Sequence, residues 1–170
     1  METIRNEHLS TYLGINAGEY FLTMEKISLE MLTDEMHADG VIPDYTLLSI
    51  SPVIKWMLGR IETLNQANIG FDDCEFSSHI NCEIDNLILH ASYYLGESFV
   101  NSVNSLSWAT DARSDENQVF PVVAGFKYDF RMHPVDEINN LCRKIQIEKA
   151  DRGIERDIDE VILQWLVRLK

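Results

Sequence analysis

Apolar residues recur every three or four positions near the start of the chain, which is the period of an amphipathic helix. The first such helix is predicted over Ala17 to His37, and Gly40 and Pro43 end it. The row that we expect on its buried face consists of Tyr20, Met24, Ile27 and Met31. Because methionine adapts to irregular gaps, we interpret the Met and aromatic side chains of this helix as core residues.

Two further helices are predicted before the middle of the chain. Ser51 as N-cap and Pro52 as the first helical residue begin the second helix, which ends near Asn68 to Gly70. A polar connection over residues 71 to 81 precedes the longest predicted helix, from about Cys82 to Val103. The expected buried rows are Val53, Met57, Ile61 and Leu64 in the second helix, and Ile84, Ile88, Ala91, Leu95 and Phe99 in the third.

The period then changes to that of short strands. Leu106–Asp111 and Val119–Phe126 are β-rich runs separated by ARSDENQ, which predicts a hairpin whose loop is too long for a tight turn. Lys127–Met132 is a candidate third strand, after which Pro134 begins a helix and Ile154 begins a terminal one. The core sides expected for these two helices are Val135, Ile138, Leu141, Cys142 and Ile145, then Ile154, Ile158, Val161, Trp165 and Leu169.

These elements predict an α+β fold, mainly helical, with a small antiparallel sheet of two or three strands between the long central helix and two C-terminal helices. A helical half up to about residue 70 and a mixed α/β half from about residue 71 would each have a thin core alone. We therefore expect one domain over residues 1–170.

The charge of the chain is strongly negative and unevenly distributed. Asp and Glu number 28 against 14 Lys and Arg, a formal net charge of −14. Residues 61 to 112 hold eight acids and no Lys or Arg. Such a surface repels nucleic acid and anionic lipid, so we expect neither as a partner. The base-free stretch is interpreted either as a solvated surface or as a docking surface for a basic protein.

Candidate partner-binding residues follow from the second interpretation. Carboxylates that surround aromatic anchors are typical of a surface that binds a basic protein. The predicted binding residues are Glu62, Phe71, Asp72, Asp73, Glu75, Phe76, Glu83 and Asp85.

No motif in the sequence names a reaction. The phosphate-binding patterns GxxxxGK and GxGxxG are absent, and so is the nucleophile pattern GxSxG. Cys74, His79, Cys82 and His90 fall within seventeen residues, but their spacing differs from the CxxC pairs of zinc sites. We therefore predict no enzyme activity, no catalytic residue, no cofactor and no metal.

The cellular compartment is predicted from the cysteines and the N-terminal residues. Three cysteines without a CxxC pair fit a reducing environment. The first residues lack the basic and then apolar run of a secretory signal, and no segment approaches about 18 uninterrupted apolar residues. We expect a cytoplasmic protein without a membrane role.

A polar stripe runs along the third predicted helix. His90, Tyr94, Glu97 and Asn101 lie at helical spacing on one side of it. This stripe either lines a ligand groove or forms an internal hydrogen-bonded seam. The seam is favoured, with Glu97 accepting a hydrogen bond from a backbone amide or from Trp108 of the hairpin, because buried polar groups are generally satisfied inside a domain.

Four short motifs, YYLGES, LSWA, FPVVAG and MHPVDEI, carry a resemblance. They resemble those of a family of small bacterial proteins, largely of uncharacterised function, that share a YLGE helix, a strand tryptophan and a later proline that starts a helix. The resemblance covers about residues 86 to 145, and some relatives are assigned as toxin-immunity proteins. It implies that the matching residues are scaffold positions: Tyr94, Leu95, Gly96, Glu97, Trp108 and Pro121.

The resemblance and the acidity together predict a protein-binding function. The leading hypothesis is a bacterial immunity or inhibitor protein that neutralises a basic toxin domain by stoichiometric binding. The main alternative is an adaptor or regulatory subunit of a cellular complex, including a homodimer formed through an exposed helix face. A small metal-dependent hydrolase that uses the clustered carboxylates is the third.

Overall fold

The computed structural model describes the backbone of residues 17–68, 74–112, 119–148 and 154–169, and the side chains of residues 22–67, 81–111, 121–144 and 155–169. Within these ranges the chain is mainly helical with one small antiparallel sheet, so the expected α+β class is confirmed. The elements are α1 (Ala17–Ala38), α2 (Leu47–Asn68), α3 (Cys74–Ser102), β1 (Ser107–Ala112), β2 (Val119–Ala124), α4 (Pro134–Glu148) and α5 (Ile154–Leu166).

Helix α3 lies at the centre of the fold. Helices α1, α2 and α4 and both strands pack against it, and α5 packs against α2 and α4. From Ala91 to Phe99 almost every residue of α3 is buried, because this stretch has neighbours on all sides. The strands pair in register from Ser107 opposite Ala124 to Ala112 opposite Val119. One cluster of buried side chains joins α2, α3, α4 and α5 to the sheet.

Helix α1 turns a different face to the core from the one predicted. Met24, Ile27 and Met31 are 41%, 50% and 77% exposed, so the expected buried row is wrong for these three residues, and the side chain of Tyr20 lies outside the described ones. The buried row instead consists of Leu22, Leu29, Leu32 and Met36, with Glu25. Both rows have helical spacing, so periodicity alone could not choose between them.

Helix α2 begins at Leu47, earlier than the predicted start at Ser51 and Pro52. Thr46 and Ser49 form a reciprocal cap: the Ser49 amide donates to Thr46 Oγ1 at 3.3 Å, and the Thr46 amide donates to Ser49 Oγ at 3.1 Å. Pro52 lies inside the helix and removes one intrahelical bond, to the carbonyl of Leu48. The expected row of α2 is confirmed, with Val53, Met57 and Ile61 buried and Leu64 half-buried.

Helix α3 begins at Cys74, so residues 74 to 81 of the predicted polar connection are helical. Its expected row holds: Ala91, Leu95 and Phe99 are buried, and Ile84 and Ile88 are half-buried.

The candidate third strand is wrong except at one residue. Lys127–Asp129 forms a 3-10 turn, and only Met132 pairs with the sheet, through an isolated bridge to Val123. Tyr128 and Asp129 both have φ of 55°, in the left-handed region, which interrupts an extended strand.

The two C-terminal helices follow the prediction. In α4, Ile138, Leu141 and Cys142 are buried, and in α5, Ile158 and Trp165 are buried. Val135, Val161 and Leu169 are half-buried, and the side chains of Ile145 and Ile154 lie outside the described ones. The last helix ends at Leu166, three residues before its predicted end.

Gly96 provides a test of the packing between α3 and the sheet. A Cβ added there would lie 2.1 Å from Cη2 and 2.5 Å from Cζ2 of Trp108. We expect Gly96→Ala to lower the free energy of unfolding by about 3 kcal/mol, the upper end of the usual cost of overpacking, measured by urea titration.

Gly59→Ala is the matched control for this substitution. It is also a glycine inside a helix, but an added Cβ would meet no atom within 4 Å. Alanine is the better helix former, so this variant should be more stable by up to about 1 kcal/mol. Equal effects of the two substitutions would contradict close contact between Gly96 and Trp108.

Candidate functional site

The polar stripe of α3 begins with a hydrogen bond between His90 and Glu25 of α1. His90 Nδ1 lies 2.6 Å from Glu25 Oε2, and each side chain is only 12% exposed. Glu25 belongs to the buried row of α1, so this pair fixes the helix against α3. Glu25 lies 65 positions before His90, and no local pattern in the sequence signals the pairing.

The next residue of the stripe, Tyr94, ties α3 to the segment that enters α2. Its hydroxyl lies 2.7 Å from Ser49 Oγ and accepts a hydrogen bond from the Tyr45 amide at 3.1 Å. The Tyr45 and Tyr94 rings lie 4.9 Å apart. Burial raises the pKa of Tyr94, although its hydrogen bonds to Ser49 and Tyr45 oppose the change, and burial raises the pKa of Tyr45 to about 12. Both side chains therefore stay neutral over the ordinary pH range.

Glu97 completes the buried part of the stripe. The indole Nε1 of Trp108 donates a hydrogen bond to Glu97 Oε2 at 2.7 Å, which confirms the predicted contact with the hairpin. The indole ring also stacks parallel to Tyr93, with centroids 6.1 Å apart. Asn101 is exposed and does not extend the seam. His90, Tyr94 and Glu97 thus form an internal seam. The partner of His90 is on α1, and the partner of Glu97 is on β1.

An exposed apolar stripe on α1 is the strongest candidate for a binding surface. We define the α1 stripe as Met24, Ile27 and Met31, which lie within about 60° of one another around the helix, at about 100° per residue. It points roughly opposite to the buried row. Its signal in the sequence is the second apolar row of α1, which the prediction assigned to the core.

Carboxylates border the α1 stripe on both sides. Glu30 and Asp34 follow one edge and are exposed. Glu35 lies along the other edge and forms an ion pair with Arg60 of α2. The stripe therefore combines apolar side chains with a negative border.

The predicted acidic binding residues are described only in part. Glu62, Glu83 and Asp85 are exposed, and no ion pair with a described cation involves them. Phe71, Asp72 and Asp73 lie outside the described residues. Glu75 and Phe76 belong to the first turn of α3, but their side chains lie outside the described ones.

The described acidic residues share one end of the helix pair. The end of α2 at Asn68 and the start of α3 at Cys74 are separated by only five residues, and Ser49 near the start of α2 contacts Tyr94 in the second half of α3, so the two helices run antiparallel. The last turns of α2, with Glu62, therefore lie next to the first turns of α3, with Glu83 and Asp85.

Metal binding, thiol reactivity and membrane spanning can each be checked against the described residues. Within them, no group of three His, Cys, Asp or Glu residues is placed to hold a metal ion. Of the four Cys and His residues considered above as zinc ligands, Cys74 and His79 have side chains outside the described ones. Burial raises the pKa of the Cys142 thiol to about 11, so it stays protonated and unreactive at neutral pH. Among the described helices, none has both the length and the apolar character to cross a bilayer.

The tyrosines predict a loss of stability at alkaline pH. An unfolded tyrosine ionises near pH 10, whereas folded Tyr45 has a pKa of about 12. Its contribution is complete below about pH 10 and is lost as the pH rises to about 12, because only the unfolded chain releases the proton in this window.

The measurement is the urea midpoint at about pH 9 and about pH 11. The fall between them should be smaller for Tyr45→Phe, which cannot ionise. It should not vanish, because Tyr93, Tyr94 and Cys142 also have raised pKa values. An equal fall in both proteins would contradict the burial of the Tyr45 hydroxyl.

The bond from Trp108 to Glu97 can be measured by a double-mutant cycle. A hydrogen bond to a charged group contributes about 1.5–3 kcal/mol, so Trp108→Phe and Glu97→Ala should show a coupling energy in this range. As the control pair, Trp108→Phe and Glu137→Ala should be additive, because Glu137 accepts from Trp165 instead. A coupling near zero for the first pair would show that the seam adds nothing to stability.

No family model, no curated protein and no solved structure matches this chain. The resemblance to the bacterial YLGE family, with its immunity-protein members, therefore stays a prediction.

Proposed function

We propose that this protein is a protein-binding module, that the α1 stripe is its central contact, and that the partner's binding surface is basic. The observation that carries the proposal is the exposure of Met24, Ile27 and Met31 in one row. Single exposed apolar residues are common on proteins, whereas a contiguous row is typical of a surface that another protein covers.

The chemistry of the row suits a macromolecular partner. Methionine is flexible and polarizable, so it packs against varied shapes and is common at binding surfaces. Residues at helical spacing on one face also match the way in which an amphipathic helix docks in an apolar groove. The opposite face of α1 packs on the core through its buried row, so the stripe faces away from the core.

The charge of the protein favours a basic partner. Glu30 and Asp34 border the α1 stripe, and the whole chain carries −14. A field of this sign speeds the approach of a positively charged protein and slows that of an acidic one. The exposed Glu62, Glu83 and Asp85 extend the negative surface to the end of the α2 and α3 pair.

An immunity or inhibitor protein is the biological role that combines these features. Toxins that act on nucleic acid or on membranes are commonly basic, and an acidic protein neutralises them by covering the active surface. The resemblance over residues 86 to 145 supports the same role. In that role the seam of α3 is scaffold, and the α1 stripe and the acidic residues form the contact.

The stripe is tested by substitution of its exposed residues. Ile27→Gln together with Met31→Gln should weaken binding to a basic partner, sought first among the proteins of neighbouring genes, by at least about tenfold, or about 1.4 kcal/mol, in isothermal titration calorimetry. The melting temperature should stay nearly unchanged, because both side chains are at least half exposed. Affinity should also fall as the salt concentration rises.

Leu163→Gln is the matched control, since Leu163 is an exposed apolar residue on α5, 59% accessible and outside the stripe. It should leave binding unchanged. If charge reversal at Asp72, Asp73 and Glu75 abolishes binding while the stripe variant binds normally, the acidic segment and not α1 is the contact. If the neighbouring protein does not bind and the stripe variant instead abolishes self-association, the occupant is a second copy.

A further inference from the structure

Three aromatic rings form a corner where α3, β1 and the segment before α2 meet. We define the aromatic corner as Tyr45, Tyr93 and Trp108. The rings of Tyr93 and Trp108 are parallel, with centroids 6.1 Å apart, and the ring of Tyr45 stands at 80° to that of Tyr93, with centroids 6.5 Å apart. Tyr93 is buried, whereas Tyr45 and Trp108 are half-buried. The two partly exposed rings therefore stand nearly at right angles to each other.

Two carboxylates give the aromatic corner a negative field. Burial raises the pKa of Tyr45 and that of Tyr93, and the negative charges of Glu30 and Glu97 raise both pKa values further. Among the described residues, no cation lowers either pKa, and none forms an ion pair with Glu30 or Glu97. The described arginines that stack on aromatic rings do so elsewhere, on Trp56, Phe130 and Trp165. Within the described part of the chain, the charge at the corner is therefore unbalanced.

Glu97 orients Trp108 and keeps its charge. Its Oε2 accepts a hydrogen bond from the indole Nε1 at 2.7 Å, and an indole is a neutral donor. Because Glu97 is half-buried, its charge is costly without a cation nearby, and a cation bound at the corner would reduce that cost. Glu97 is thus a positioning residue that stays in the internal seam while it adds to the negative field.

The ring of Tyr45 is held in place before any ligand arrives. Tyr45 has a φ of 57°, in the left-handed region that bulky residues rarely adopt. The Tyr94 hydroxyl accepts a hydrogen bond from the Tyr45 amide at 3.1 Å, and the two rings lie 4.9 Å apart. A strained backbone of this kind persists only where the surrounding contacts determine it. A ring fixed in this way loses little freedom when a ligand packs on it.

We propose that the aromatic corner receives an arginine side chain of the basic partner, with the guanidinium against the rings of Tyr45 and Trp108 and beside the Glu30 carboxylate. An aromatic face attracts a cation through its quadrupole, and the two carboxylates strengthen that attraction. Arginine suits the corner better than lysine, because a planar guanidinium stacks on a ring while its N–H groups reach a carboxylate.

The position of Glu30 connects the aromatic corner to the α1 stripe. Glu30 follows one edge of the stripe and is exposed, and its charge acts on the tyrosines of the corner. A partner seated on the stripe therefore has the corner within reach of a long side chain. For the identity of the partner, the inference rests on the proposed function.

The probes are three tripeptides with blocked ends: Gly-Arg-Gly, Gly-Lys-Gly and Gly-citrulline-Gly. Citrulline has the shape of arginine without its charge. In a nuclear magnetic resonance titration, the arginine peptide should shift the Trp108 indole N–H and the Tyr45 amide. The citrulline peptide should bind at least about tenfold more weakly, and the lysine peptide should lie between the two. The affinity for the arginine peptide should fall as the salt concentration rises.

Glu30→Gln tests the charge of the corner. It should weaken binding of the arginine peptide about threefold, the size expected for an exposed ion pair. Glu62→Gln is the matched control, because it changes the net charge by the same amount near the opposite end of α2. It should leave the affinity unchanged. Both side chains are exposed, so both variants should fold.

Substitution of Tyr45 tests the ring itself. Tyr45→Phe keeps the aromatic face and should bind the arginine peptide as the unmodified protein does. Tyr45→Leu removes the face and should bind about fivefold more weakly, since the cation–π attraction to this ring is lost. The comparison separates the ring from the hydroxyl, because both variants lack the hydroxyl.

Three results would overturn the inference: no shift up to the solubility limit of the arginine peptide, equal binding of the arginine and citrulline peptides, or equal effects of Glu30→Gln and Glu62→Gln. Shifts with tetramethylammonium but not with the arginine peptide would also overturn it, and would assign the corner to a small organic cation.

Failure of this inference is distinguishable from failure of the proposed function. The Ile27→Gln, Met31→Gln protein should still bind the arginine peptide, because the α1 stripe does not belong to the corner. If this variant loses the partner while the unmodified protein ignores the arginine peptide, the proposed function stands and the inference fails. If the peptide binds at the corner and the stripe variant keeps the partner, the inference stands and the role of the stripe fails.

Discussion

The enclosure of α3 is the constraint on which the rest of the structure depends. From Ala91 to Phe99 the helix is buried on nearly all sides, so a polar group that it carries is costly to leave unpaired. Among the described buried side-chain polar atoms, only Ser98 Oγ lacks a hydrogen-bond partner. The Tyr94 hydroxyl forms hydrogen bonds with Ser49 Oγ and with the Tyr45 amide, and Glu97 accepts one from Trp108. These contacts hold the start of α2 and the first strand in place, because a shift of either would leave a buried polar group unpaired.

The same constraint decides which residues remain for binding. His90 and Glu97 have the side chains of a catalytic or ligand-binding site, but their partners on α1 and β1 bind them within the scaffold. The α1 stripe, in contrast, is exposed on an outer helix, beside the pair that Glu35 forms with Arg60 of α2.

Sequence reasoning found the contact between Glu97 and the hairpin because buried polar groups are generally satisfied inside a domain. A backbone amide or Trp108 was expected as the donor, and in the structure the donor is Trp108. Helix α1 had two interpretations, since apolar residues recur on two nearly opposite faces. The start of α2 was misplaced because Ser51 and Pro52 imitate a helix start, whereas the cap formed by Thr46 and Ser49 lies one turn earlier. Neither Tyr128 nor Asp129 is a glycine, so the left-handed backbone that ends the sheet was not predicted.

The sequence by itself determined the α+β class, the order of the described helices and of the hairpin, the negative charge and the apolar rows of α2 to α5, because these follow from local periodicity and composition. Only the tertiary structure decided which face of α1 is buried, that His90 pairs with Glu25, and that Tyr94 contacts Ser49. Each of these joins residues from different elements or depends on which neighbour covers a face. The hydrophobic period predicts which residues share one face of a helix, whereas the burial of that face depends on which other elements pack against the helix.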